Sequence, residues 1–145
     1  MTDILGLIAV TCAGVFLLGY CNKPPSLTKS AVKTASVLLL AALSWRAAGP
    51  AALTAALAFG ALGDLFLSRA GARAFLWGLV SFAVAHLLYA WLMVSVGQGG
   101  TWLASMGVFG CGALMARILW SRTAELRWPV MGYIAIIVVM GIAAV

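Results

Sequence analysis

Acidic side chains are scarce in this sequence: Asp3, Asp64 and Glu125 are the whole supply in 145 residues. Charged residues of both signs reach only 8%, where a soluble domain carries about a quarter. With 65% apolar residues, too little polar surface exists to cover a water-soluble globule, so a soluble domain is excluded. Histidine occurs once, at His86, and cysteine three times, at Cys12, Cys21 and Cys111. The cysteines are dispersed in apolar surroundings without a CxxC or a Cys/His pairing. Neither a zinc site nor a disulfide framework is expected, nor any cofactor, and the thiols read as small buried groups. GxSxG, HExxH and a phosphate-binding glycine loop are missing too. Ser36, Ser68, Ser81 and Ser95 have no evident base, which argues against a serine esterase.

What is present is a series of apolar runs with basic residues between them. The net charge of +6 would point to nucleic acid in a soluble protein. Here the cations report topology and attract anionic lipid head groups, and nucleic acid is excluded as a partner. The expected fold is all-α: one polytopic transmembrane helical bundle over residues 1–145, with about six spans at 4–20, 31–48, 51–68, 74–96, 101–120 and 130–145. Asn22 to Ser26, Gly49-Pro50, the basic turn with Arg69, Gly71 and Arg73, the Gly97-Gln98-Gly99-Gly100 turn and the connector 121–128 punctuate them. Pro129 suits the start of the sixth span, because the first helical position has no N–H bond to lose.

The N-terminus is apolar from Ile4 and lacks a basic n-region, so it reads as a retained first span. From Val130 to Val145 the chain gives about 24 Å of helix, short of the roughly 30 Å hydrocarbon core. A longer reading frame is therefore expected. Lys23, Lys29 and Lys33, then Arg69 and Arg73, then Arg117, Arg122 and Arg127 all fall at the odd connections, with Arg46 alone on the other set. The positive-inside rule places those connections in the cytoplasm of a plasma (inner) membrane and the N-terminus outside. Gly60, Gly63, Gly107, Gly110 and Cys111 are expected at close helix contacts, and Trp45, Trp102, Trp120 and Trp128 at the interfaces.

The stretch Leu57–Met93 organises the rest: two apolar runs joined by the basic turn, holding Asp64 in one and His86 in the other. Ionisable groups at membrane depth are costly and point to function. Asp64 lies about 6 Å from the cytoplasmic end of its span, with Lys33 at a similar level on the span before. Two alternatives follow: an ion pair that locks the bundle, or a carboxyl kept neutral by its surroundings as a general acid. His86 lies roughly 20 Å deep, about 13 Å below Asp64, with Tyr89 at i+3 on its face. It is expected either to hydrogen-bond Tyr89 or a carbonyl, or to line a watery cavity that reaches Asp64.

Four motifs in order resemble the YhhN family of integral membrane proteins: Lys33 opening a Leu-rich span, Leu62-Gly63-Asp64 before a basic turn, Phe82 to Tyr89, and Glu125-Leu126-Arg127-Trp128-Pro129-Val130 before an apolar run with Tyr133 and Met140. Thr34 departs from it, since the family usually follows the lysine with proline. The resemblance implies about eight spans, the last two lacking here. It implies lysoplasmalogenase activity, the hydrolysis of the vinyl ether bond of a lysoplasmalogen to a fatty aldehyde and a glycerophospho-alcohol. On that footing Asp64 would supply the proton, alone or as one of an acidic pair. Lys33 and Arg127 would bind the phosphate of a lysophospholipid drawn from the membrane, and His86 with Tyr89 would orient groups deeper in. The alternatives are a small carrier or proton-coupled transporter in which Asp64 and His86 titrate, and an inactive, shortened member.

Overall fold

A computed structural model describes residues 2–20, 22, 26–97 and 101–145, without the side chains of Thr2 and Asp3. The expectations placed on Cys21, Lys23, Pro24, Pro25 and the turn residues Gln98, Gly99 and Gly100 lie outside the described residues. The protein is all-α, and the described residues form six α-helices: α1 (Thr2–Val15, continued by a π-turn Phe16–Tyr20), α2 (Leu27–Arg46), α3 (Ala51–Leu67), α4 (Ala72–Val96), α5 (Trp102–Trp120) and α6 (Arg127–Ala143). Among the described residues four helical segments are long and apolar enough to cross a membrane: α2, α4, α5, and α6 with the short 3-10 turn Ala124–Leu126 before it. Ile4–Tyr20 and Ala51–Leu67 are shorter apolar helices. The chain divides into two compact units, Met1–Ala85 and His86–Val145, and the division falls inside α4.

The first unit is a run of antiparallel helices whose register is readable from its contacts. α2 starts at Leu27, about one turn before the expected Ala31, because Ser26 caps it. The Ser26 hydroxyl oxygen accepts from the Lys29 backbone N–H at 3.1 Å, which satisfies a donor that the helix itself leaves unpaired. At its far end the chain turns sharply: Ala48 adopts a left-handed conformation (φ 53), and the Gly49 N–H donates to the Ser44 carbonyl at 2.9 Å. A side chain on Gly49 would meet Ser44 at 2.9 Å, so this tight return needs glycine. Pro50 then leads α3, its carbonyl accepting from Leu53 and Thr54. Across the hairpin the Ser44 and Thr54 hydroxyls share a 2.9 Å hydrogen bond.

The interior of this unit is built from small residues. Ala9, Ala41, Ala56, Ala61 and Ala85 are buried, as are Gly63 and Gly78. At Gly63 an added Cβ would stand 2.6 Å from the Phe82 ring, and at Gly78 it would collide with Leu67. The α3–α4 approach therefore depends on both glycines. The large apolar side chains point the other way: Leu18 is 89% exposed and Trp77 61% exposed, and Leu7, Val10 and Val80 are exposed with them. In water this arrangement would forfeit the burial of those side chains. In a bilayer the lipid tails cover them, and close backbone approach supplies the packing.

The second unit packs α5 against α6 with the same economy. Val138 sits where a side chain on Gly112 would go, and Val108 where one on Gly141 would go. Gly107 and Gly110 were expected at such contacts, but a Cβ added to either would meet nothing within 4 Å, and Cys111 is exposed. The inward face of α5 is set by its partner rather than by its own sequence, because α5 is apolar all round. Trp120 and Trp128 meet edge to face at 5.5 Å beside the α5–α6 connection. Two aromatics at one helix end suit the membrane–water interface.

Candidate functional site

The hairpin α2–α3 brings Lys33 and Asp64 to one level. Lys33 lies about 16 Å from Ser44 along α2, and Asp64 about 15 Å from Thr54 along α3, at 1.5 Å per residue. Since Ser44 and Thr54 are joined across the turn, the two charged residues must face each other unless the helices diverge. They do not diverge, since Val37 lies against Gly60 on the way. Lys33 Nζ stands 2.6 Å from Asp64 Oδ1. The pair is asymmetric: Asp64 is only 7% exposed, while the lysine side chain is 39% exposed.

The π-turn that ends the first helix carries Phe16 to the same place, with its ring 6.0 Å from the Lys33 ammonium. That distance is within the range of a cation–π contact. Phe16, Lys29, Ser30, Lys33, Asp64, Leu67 and Ser68 line a cleft of about 100 Å³. Ser30 and Ser68 also line a wider, more open groove of about 320 Å³, together with Ser26, Leu27, Arg69 and Ala70. Ser30 and Ser68 are thus shared by the cleft that holds the carboxylate and the groove at the start of α2. Lysines 29 and 33, one turn apart on a single helix face, stand along the cleft, and Arg69 stands in the outer groove.

The serines are not nucleophiles in this setting. Ser68 Oγ donates to the Leu65 carbonyl at 2.6 Å, and Ser30 Oγ to the Ser26 carbonyl at 3.0 Å. Each hydroxyl proton is committed to its own helix, which leaves oxygen lone pairs for the cleft. Among the described residues no three His, Cys, Asp or Glu side chains gather as a metal set. The chemistry on offer is that of one buried carboxylate, three cations and a few hydroxyl acceptors.

His86, Tyr89 and Arg127 belong to the second unit. The His86 ring meets the Tyr133 ring edge to face, centroids 5.5 Å apart at 87°, so α6 supplies it with an aromatic neighbour. His86, Tyr89 and Tyr133 are all partly buried. Arg127 Nε donates to the Ala124 carbonyl at 3.0 Å, and its guanidinium lies 5.3 Å from the Trp120 ring. Phe16, Lys29, Ser30 and Arg69 line the site as well, although the sequence marked Lys29 and Arg69 only as topology signals. The Ser26 cap was the available signal, because starting α2 at Leu27 puts Lys29 on the face of Lys33.

The helices and this cleft define an all-α integral membrane protein with an ion-paired carboxylate in its interior. The chain belongs to the YhhN family, whose model matches residues 28–145. It is similar to proteins described as "Uncharacterized membrane protein YhhN" from Escherichia coli and from Shigella flexneri. Each is 28% identical over 138 residues, covering 92% of this chain and 66% of the relative. The chain thus spans just under two thirds of the length of those relatives. No solved structure matches it.

Proposed function

We propose that this chain works as a membrane-embedded lipid hydrolase of the lysoplasmalogenase type, cleaving the vinyl ether bond of lysoplasmalogens. The observation that carries the reading is Asp64: a buried carboxylate, held by one lysine, beside a cleft lined by Lys29, Ser30 and Ser68. Vinyl ether cleavage begins with a proton delivered to the β-carbon, which leaves an oxocarbenium ion. Water adds to that cation and loses a proton, and the hemiacetal falls apart to aldehyde and alcohol. One water molecule is consumed, and the proton borrowed at the start is returned. A single acid that can be recharged meets the demand.

In this reading Asp64 gives and recovers the proton, and Lys33 provides positive charge for the head group. The N-terminus lies outside and the cleft end of the first unit faces the cytoplasm of a bacterial inner membrane, as the cations Lys29, Lys33, Arg69 and Arg73 favour. The test is aldehyde release from lysoplasmenylethanolamine by the purified protein in detergent. Wild type should release aldehyde, and Asp64→Asn should lower the rate at least a hundredfold. Equal rates would remove Asp64 as the acid.

A second reading draws on the same pair. A cleft of about 100 Å³ has room for a few waters but not for an acyl chain, as a proton-coupled carrier would require. Proton movement across proteoliposomes without aldehyde release, lost in Asp64→Asn, would favour that reading.

A further inference from the structure

The second unit has an apolar groove of its own, between α5 and α6. It runs from Ala116 to Phe109 along α5 and from Met131 to Ile142 along α6, and its volume is about 430 Å³. The small side chains Ala113, Ala116 and Ala135 leave its space open. Between Met131 and Ile142 α6 rises about 16 Å, close to the roughly 15 Å of one leaflet of the hydrocarbon core. One end of the groove is capped by polar groups. Trp120 lies one turn beyond Ala116 on the same face of α5, and Arg127 one turn before Met131 on the same face of α6. The two residues meet at that end, the guanidinium 5.3 Å from the Trp120 ring. Arg127 Nε donates to the Ala124 carbonyl at 3.0 Å, and Trp128 meets Trp120 edge to face, so the guanidinium is held in one orientation. Among the described residues its terminal nitrogens have no acceptor, although a guanidinium carries five donors. Arg117 and Arg122 belong to the same helix end and connection, where Glu125 is the one carboxylate. None of these four charges is ion-paired among the described residues.

We propose that this groove seats one acyl chain of an anionic phospholipid whose phosphate rests on Arg127. The site needs neither Asp64 nor lipid cleavage, so it stands apart from the hydrolase reading. An apolar groove in a bilayer accepts any lipid tail, and the groove end selects the occupant. Three arginines against one glutamate leave an excess of positive charge there, which an anionic head group complements. Arg127 is already oriented by its ring contact and its backbone hydrogen bond, so its planar fork can take two phosphate oxygens at little ordering cost. Trp120 and Trp128 fix the level of that fork, because tryptophan settles among lipid head groups. A second copy of the chain is the poorer occupant. Packed in the same orientation, it would bring its own arginines to the same level, and like charges oppose that approach.

The experiment is native mass spectrometry of the full chain in detergent, with phosphatidylglycerol and phosphatidylcholine of identical acyl chains added in equal amounts. One phosphatidylglycerol should stay bound per chain, about tenfold in preference to phosphatidylcholine, the worth of one charge-assisted hydrogen bond. Arg127→Gln should abolish that preference. Arg127→Lys should keep part of it, since an ammonium supplies charge without the fork. Glu125→Gln removes the opposing charge and should tighten the binding of phosphatidylglycerol, a gain that a misfolded protein does not give. Ala113→Trp fills the groove from an exposed position and should lower the retention of both lipids. Circular dichroism checks the fold of each variant. Equal retention of the two lipids by the wild type overturns the proposal, as does a wild-type preference in Arg127→Gln. Full retention in Ala113→Trp overturns the seat of the acyl chain. A dimer that excludes lipid and separates in Ala113→Trp gives the groove to a second copy and overturns the proposal as well.

Discussion

Lys33 and Asp64 meet end to end at 2.6 Å, yet they do not share an environment: the carboxylate is enclosed, and the lysine stem runs out along the cleft. A pair of this kind is sensitive to which member is removed. Lys33→Met leaves a buried negative charge alone and is expected to cost about 1–3 kcal/mol, below the roughly 3–5 of a fully buried pair because the lysine is partly solvated. Adding Asp64→Asn to Lys33→Met should restore much of the loss. Thermal unfolding in one detergent, compared across the four proteins of the cycle, measures it.

Gly63 and Gly107 test whether the interior is set by backbone approach. Gly63→Ala puts a methyl against the Phe82 ring and is expected to destabilise by about 1–3 kcal/mol. Gly107→Ala meets nothing within 4 Å and should be neutral or stabilising by up to about 1 kcal/mol, the helix preference of alanine over glycine. The same unfolding assay ranks them. Equal losses at both positions would count against the packing described for α3 and α4.

Ser26→Ala removes the cap of α2 and should cost about 1 kcal/mol. The effect should be local. Hydrogen exchange is expected to speed up over residues 27–30 and to stay unchanged at the α5–α6 contact.

Thr34 Oγ1 is buried without a hydrogen-bond partner among the described residues. Thr34→Val replaces that hydroxyl with a methyl of similar size, and stability should rise by up to about 1 kcal/mol. A drop in melting temperature would mean that the hydroxyl has a partner in the folded protein.

The helical architecture was legible because hydropathy and turn residues mark membrane helices directly. The level of Lys33 with Asp64 was legible for a geometric reason. Two helices joined by the short Ala48-Gly49-Pro50 turn share a common origin, so equal distances along each give equal depth. What stayed hidden was set by tertiary contact. Phe16 reaches the cleft through a π-turn, and nothing in Phe16-Leu17-Leu18-Gly19-Tyr20 announces one. Lys29 reads as linker unless the Ser26 cap is taken as the start of α2. The aromatic ring that meets His86 edge to face comes from α6, 47 positions along the chain, and local spacing carries no information at that range. Gly112 and Gly141 rather than Gly107 and Gly110 meet valines, because a helix apolar on every side does not declare which side is inside.

With alanine and glycine at its centre and leucine, valine and tryptophan around its rim, the first unit is an inside-out protein. Sequence drift in relatives should run opposite to that of a water-soluble globule. The greasy perimeter is free to exchange one bulky residue for another, with the bilayer as its only judge. Adding a lone methyl group at the axis is the change that such a molecule tolerates least.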